Sequence, residues 1–267
     1  MSVSVVIPAT RPCDDLFWSL GYGTRQPDEV IVVSNEVSPK GVLVVRFGSP
    51  SIPIGKGDAA LRRDIGADVA TSDILLFLDD DLIAPLNLVE FAVDIAEADG
   101  FCWGHHRFID FSAHDRHDLL DMVPEMGRSR ESGVNRWHGW QSSYAGLFAI
   151  RRDLFWEMGG FDLAYLGFHG SEDQQLGRRL GKQNNHQTFV HEPPFAWHPE
   201  VDLYHSTPRT NITGDHAMVR ETVNGHDFAF CDQCPCRYPL DVARLTMSDE
   251  VVIPYSREAL DIEKEWT

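Results

Sequence analysis

The chain has 267 residues, 43% of them hydrophobic and 24% charged, which suits one sizeable α/β domain with room for a C-terminal extension. Its formal net charge of -18 sets it against phosphate backbones, so broad binding to DNA or RNA is not expected, although Arg151-Arg152 and Arg178-Arg179 are candidate local basic patches. No apolar run reaches the roughly 20 residues of a membrane span. The start, Met1 to Pro8, lacks the basic residues and small-residue cleavage site of a signal peptide, so a cytoplasmic protein is expected. The chain has 5 cysteines, and an odd number argues against a disulfide framework.

Val3 to Ile7 is a β-branched run closed by Pro8, as in a buried parallel strand. A helix is expected over Asp14 to Leu20, then strands over Glu29 to Val33 and Val42 to Phe47. Ala59 to Ala70 reads as a helix, because Leu61, Ile65 and Val69 share one face. Ile74 to Leu78 reads as a strand and Pro85 to Ala98 as a helix. This alternation predicts a mostly parallel central sheet flanked by helices. Gly100 to Trp140 has little periodicity and reads as loops and short strands near a site. Ser143 to Ile150 predicts a strand, Leu154 to Met158 a short helix ended by Gly159-Gly160, Ser171 to about Leu180 a helix, and Thr188 to Val190 a strand. The expected division is a catalytic domain over 1–201, with a donor half to about residue 100 and an acceptor half beyond it. Residues 202–267 would be an extension packed on that core.

Asp79-Asp80-Asp81 follows the five apolar residues of the fourth strand. In open α/β sheets ligands bind beyond the carboxyl ends of the strands. If the chain stays extended, Asp79 and Asp81 face one side and Asp80 the other. Two hard oxygen donors on one side suit Mg²⁺ or Mn²⁺, with phosphate oxygens filling the remaining positions. A polar turn that caps the next helix would present the same triplet.

Four segments together carry a resemblance: Val5-Val6-Ile7-Pro8-Ala9-Thr10, Asp28 to Val33, Leu61-Arg62-Arg63-Asp64-Ile65-Gly66-Ala67, and Ile74 to Asp81. In order and spacing they resemble the family 2 glycosyltransferases of the GT-A fold. The resemblance implies a Rossmann-like GT-A domain over about residues 1–200 and places the family's Asp-x-Asp motif on Asp79 and Asp81. It puts Asp81 on a divalent metal and Asp79 near the metal or the donor ribose, with Asp80 and Arg63 also on the donor side. Pro8, Ala9 and Thr10 would line the nucleoside pocket. The family carries acidic residues after the second strand; here Ser34-Asn35-Glu36 stands in that place, which leaves Glu36 or Asn35 to hold the nucleoside.

A second segment, Gly159-Gly160-Phe161-Asp162 followed by Gly170 to Leu180, resembles the Glu-Asp region shared by family 2 and the galactosyltransferase-like C-terminal segment. Asp173, Leu176 and Leu180 fall on one helical face, so Asp173 should turn inward with the leucines. The first helical turn favours negative charge. A carboxylate there that faces a cleft can take a proton from a hydroxyl. Acids also favour helix starts for purely structural reasons. The resemblance implies that Asp173 is the catalytic base and that Glu172 contacts the acceptor.

His198 follows the Phe189-Val190-His191-Glu192-Pro193 stretch, and the resemblance implies it as a metal ligand beside Asp81. Trp137 and Trp140 are candidates for a sugar-binding wall, or equally for core packing. His226, Cys231, Cys234 and Cys236 are enough soft ligands for one structural Zn²⁺, although the spacing is not that of a zinc ribbon.

The expected function is metal-dependent transfer of a sugar from a nucleotide-diphosphate donor, a UDP-sugar in the first instance, to an acceptor hydroxyl with inversion. A glycan, a lipid-linked glycan, a protein or a modified nucleobase are the candidate acceptors. The alternatives are an inactive nucleotide-sugar-binding module and a sugar nucleotidyltransferase. For the latter, Gly21 to Arg25 echoes a glycine-rich loop but does not directly follow the first strand.

Overall fold

The structure is a computed structural model, and it describes residues 1–37, 39, 41–47, 59–104, 106–109, 115, 118, 146–162, 172–183, 196–199, 218–223, 226–231 and 247–251. In chain order these form β1 (Val3–Pro8), α1 (Asp14–Gly21), β2 (Glu29–Val33), β3 (Leu43–Phe47), α2 (Ala59–Val69), β4 (Ile74–Leu78), α3 (Leu88–Asp99), β5 (Phe101–Trp103) and β6 (His106–Ile109). There follow β7 (Leu147–Arg151), α4 (Arg152–Glu157), α5 (Glu172–Gln183), β8 (Ala196–Pro199), β9 (Met218–Val223), β10 (His226–Cys231) and β11 (Met247–Val251).

Among the described residues seven strands make the central sheet, in the order β11-β3-β2-β1-β4-β7-β5. Strands β3, β2, β1 and β4 are parallel neighbours, while β7 and β11 run against them. Strand β5 pairs antiparallel with β7 and so points the same way as β1 to β4. The expected α/β class with a mostly parallel sheet is what the chain adopts.

The apolar runs of these strands are buried on both faces, which requires helices on both sides. Alternation divides each strand between two cores. Val3, Val5, Ile7, Val30, Val32, Leu76 and Leu78 pack with α1 and α3 through residues such as Leu16, Leu20, Val89 and Val93. Val6, Ile31, Val33, Leu75, Phe77, Phe148 and Ile150 face α2, α4 and α5, including Leu61, Ile65, Phe155, Leu176 and Leu180. Aromatic rings fill the middle of this second core: Phe77 meets Phe148, Phe155 and Phe161, and Trp103 stacks on Phe148 at 3.7 Å. Full burial of each such side chain contributes about 1.5–3 kcal/mol.

The details differ from the sequence reading at several ends. Helix α3 starts at Leu88, after a turn in which Leu88 N donates to Pro85 O. The strand expected from Ser143 is described from Leu147, and residues 141–145 lie outside the described residues, as does the expected strand over 188–190. In the C-terminal stretch β9 and β10 form an antiparallel pair, and β11 joins the central sheet at its edge, antiparallel to β3. Among the described residues no helix is long and apolar enough to cross a membrane.

Candidate active site

The parallel strands β1 and β4 are neighbours with Val6 opposite Phe77, so the chain leaving β1 runs beside the chain leaving β4. This brings Pro8 to Arg11 against Asp79 to Asp81. Asp80 is 6% exposed and holds the exit loop of β1. Its Oδ2 accepts hydrogen bonds from Thr10 N at 2.8 Å, Thr10 Oγ1 at 3.3 Å and Arg11 N at 3.2 Å. Its Oδ1 accepts one from Arg11 Nε at 2.9 Å. The same guanidinium extends to Asp81, with Nη2 at 2.7 Å from Oδ2.

Asp79 turns elsewhere. Its backbone N–H donates to Gly146 O, and its Oδ1 accepts from Arg63 Nη2 at 2.9 Å. Asp80 and Asp81 therefore share Arg11, while Asp79 belongs to Arg63. This corrects the expectation that Asp79 and Asp81 face one side and Asp80 the other. Strand β4 ends at Leu78 and the chain turns through Asp80-Asp81, so strand alternation no longer applies. Gly146 makes Asp79's position possible: a Cβ there would collide with Asp79 Oδ2.

Arg63 joins the two acidic motifs. It is buried in α2, and its Nη1 donates to Glu172 Oε1 at 3.1 Å while Nη2 holds Asp79. The ring of Phe161 lies 5.5 Å from its guanidinium carbon, within cation–π range. Burial opposes its charge, but Asp79, Glu172 and Asp173 more than offset this and raise its pKa. In α5, Leu176 and Leu180 are fully buried, Glu172 is buried and Asp173 is half-buried, so the leucines anchor the face that sets the acids at the helix start.

A second buried arginine holds the predicted nucleoside side. Arg62 is 1% exposed; its Nη1 donates to Ala9 O at 2.6 Å and to Glu36 Oε2 at 2.9 Å, and its Nη2 to Glu36 Oε1 at 3.1 Å. The hydrogen bonds from Arg62 hold the Glu36 carboxyl below the usual glutamate range. Glu36 therefore presents an ionised carboxylate, able only to accept hydrogen bonds, at the end of β2.

Asp64, next on α2, fixes the turn that leads towards α5. Its Oδ1 accepts from Phe161 N at 2.9 Å. Gly159 and Gly160 have φ of 86° and 70°, and a Cβ on Gly160 would sit 2.9 Å from Asp64 Oδ1, so both backbone shape and space require glycine there. Arg179 closes the turn from α5 by donating to Met158 O and Gly160 O. Burial pushes the Asp64 carboxyl well above the ordinary aspartate range, offset in part by the Phe161 N–H and by Arg179. A carboxyl whose folded-state pKa is raised favours the fold most below its unfolded-state pKa, and the contribution is lost as pH rises through the folded value. Asp64→Asn keeps an acceptor for Phe161 N–H and carries no charge at any pH. Its stability relative to wild type, from urea unfolding at several pH values, should therefore increase between acid and neutral pH. A variant that loses ground as pH rises would show that ionised Asp64, paired with Arg179, is a net stabiliser.

Other sequence-predicted residues fall differently. His198 lies in β8, opposite Phe108 of β6, and its side chain is outside the described residues. Trp137, Trp140, Cys234 and Cys236 are also outside them. His226 and Cys231 begin and end β10, opposite Val223 and Met218. At about 3.4 Å per residue their backbones are roughly 17 Å apart. The side chains of both are outside the described residues. Among the described residues no three His, Cys, Asp or Glu side chains gather as a preformed metal cage. Sequence reasoning missed Arg11, Arg62 and Gly146. Only the doubled arginine Arg62-Arg63, beside the helical core positions Leu61 and Ile65, hinted at the second of these.

No protein-family model matches this sequence, and no curated protein matches it. Solved structures do match in fold. The chain is similar to S. aureus TarS, with a TM-score of 0.53 and 13% identity over 74% of this chain and 37% of that one. It is also similar to S. aureus TarS 1–349 in complex with UDP-GlcNAc, with a TM-score of 0.53 and 15% identity over 76% of this chain and 59% of that one. The complex of the same TarS segment with UDP gives a TM-score of 0.53 and 15% identity, covering 74% and 60%. The chain thus spans less than two thirds of the length of these TarS structures. The fold is GT-A-like.

Proposed function

We propose that this protein is a glycosyltransferase that moves a sugar from a nucleoside-diphosphate donor, a UDP-sugar, to an acceptor hydroxyl with inversion at the anomeric carbon. The observation that carries the proposal is the Asp79–Arg63–Glu172 bridge, which joins the strand-end triplet and the Glu172-Asp173 pair into one site at the carboxyl edge of the sheet. The fold shared with TarS, solved with UDP-GlcNAc and with UDP, supports a nucleotide-sugar donor.

The charges at the site support a divalent cation. The carboxylates of Asp79, Asp80, Asp81, Glu172 and Asp173 outnumber the guanidinium groups of Arg11 and Arg63 by three. A diphosphate would be repelled by that balance. Asp81, whose side chain is 6% exposed and already lies against a cationic group, offers the hard oxygen donors that Mg²⁺ or Mn²⁺ takes. Asp81 is the proposed ligand, with His198 as a nitrogen ligand and Asp79 entering if it exchanges Arg63. Such a cation would neutralise charge on the departing diphosphate.

The chain's own residues do the rest. Glu36, oriented by Arg62, and the Pro8-Ala9-Thr10 loop hold the nucleoside. Glu172, fixed by Arg63, orients the acceptor. Asp173 takes the proton of the attacking hydroxyl, and a single base on the acceptor side gives inversion. Calorimetric binding of UDP with and without Mn²⁺ tests the donor side of the proposal. UDP binding in a protein that turns over no UDP-sugar would favour the inactive binding module.

A further inference from the structure

We infer that Arg11 is a built-in counter-cation that a divalent metal displaces from Asp81, and that the displaced guanidinium then takes a phosphate oxygen of the donor; this rests on the nucleoside-diphosphate reading above. Arg11 is held in two places. Its Nε donates to Asp80 Oδ1 at 2.9 Å, and the other oxygen of Asp80 grips the backbone of Thr10 and Arg11. The base of the guanidinium is thereby fixed at the mouth of the predicted nucleoside pocket. Its far end, Nη2, reaches Asp81 Oδ2 at 2.7 Å.

The two carboxylates differ in what surrounds them. Asp80 is tied by four hydrogen bonds to the β1 exit loop. Asp81, with a side chain just as little exposed at 6%, meets the Nη2 end of the same guanidinium. A divalent ion on Asp81 Oδ2, at about 2.0–2.1 Å, would stand within about 5 Å of Nη2, and two like charges that close in a poorly hydrated site repel strongly. With Asp80 keeping Nε, the Nη end is the part that moves. A guanidinium released beside a diphosphate makes charge-assisted, fork-shaped hydrogen bonds to phosphate oxygens. Asp81 thus exchanges an arginine for a metal, and Arg11 exchanges a carboxylate for a phosphate.

This gives Arg11 opposite effects on the two ligands, a signature that a merely structural role would not produce. Arg11→Gln should bind Mn²⁺ about threefold or more tighter than wild type, as read from loss of the free-ion EPR signal, since an ion pair one-third exposed is worth that much. At saturating Mn²⁺ the same variant should bind UDP about threefold or more weaker, as read by calorimetry. Arg11→Lys, which keeps the charge, should stay close to wild type for Mn²⁺, and a thermal melt confirms that each variant is folded. Asp81→Ala separates the two readings. If Mn²⁺ binding is lost there while Arg11→Gln leaves it unchanged or weaker, or leaves UDP binding unchanged, the role of Arg11 is overturned and the metal reading stands. If wild type and Asp81→Ala bind Mn²⁺ equally, or neither binds it, the metal reading falls and the role of Arg11 falls with it.

Discussion

Asp173→Asn should lower sugar transfer by about 10²–10⁴-fold, the usual worth of a positioned general base, while UDP binding changes little. The expected split follows from the geometry of α5. Leu176 and Leu180 are fully buried and fix the rotation of the helix, so the asparagine occupies the place of the aspartate without disturbing the fold. Asn cannot accept a proton from an attacking hydroxyl. Glu172 is poorly placed to take over, because Arg63 Nη1 already holds its Oε1 at 3.1 Å. Asp173 is half-buried in the first turn of the same helix, and its charge helps to raise the pKa of Arg63. Rates of UDP release from a UDP-sugar, set beside calorimetric UDP affinities, separate the two effects. Transfer that survives in Asp173→Asn would move the base to another residue.

Arg63→Met should be the most destabilising single change in the site. The methionine fills similar space but leaves Asp79 and Glu172 facing each other without a cation. Removing one partner of a buried ion pair costs about 3–5 kcal/mol. The lower end applies here, because the Asp79 side chain is 32% exposed and water can screen it. Glu172, at 9%, has no such relief. Unfolding in urea should show the loss, and Arg63→Met combined with Glu172→Gln should recover most of it, because the second change removes the stranded charge. A single variant as stable as wild type, or a double variant no better than the single one, would show that the bridge does not hold the two motifs together.

The sequence made the acids legible but not their partners. Asp79 to Asp81 stand out because five apolar residues precede them, and Glu172-Asp173 because the leucines that follow keep helical spacing. Arginines in a helix read as solvent-facing, and α2 showed only the stripe of Leu61, Ile65 and Val69. In the fold every residue of α2 from Ala60 to Ala67 is buried, so Arg62, Arg63 and Asp64 point into the protein and become its internal connectors. Their partners are far away in sequence: Glu36 by 26 residues, Glu172 by 109 and Phe161 by 97. No local pattern encodes such distances.

The alternation rule predicted the wrong pairing within the triplet for a related reason. It holds for a strand, and the strand stops at Leu78, where tertiary contacts with Thr10, Arg11 and Gly146 decide where each carboxylate goes. The edge strand β11 was equally hidden. Met247-Ser248-Asp249-Glu250-Val251 lacks the apolar run of a buried strand, and its register against β3 shifts between Met247 and Glu250. As an edge strand it has one neighbour and does not need that run.

The most direct test of the nucleotide-sugar reading is calorimetric binding of UDP to wild type and to Asp81→Ala, each with and without Mn²⁺. The expected result is UDP binding that requires Mn²⁺ in wild type and is lost in the variant. Binding of another nucleoside diphosphate in place of UDP would change the donor and keep the site. A protein that binds no nucleoside diphosphate under any metal condition would contradict the assignment of this site to sugar transfer.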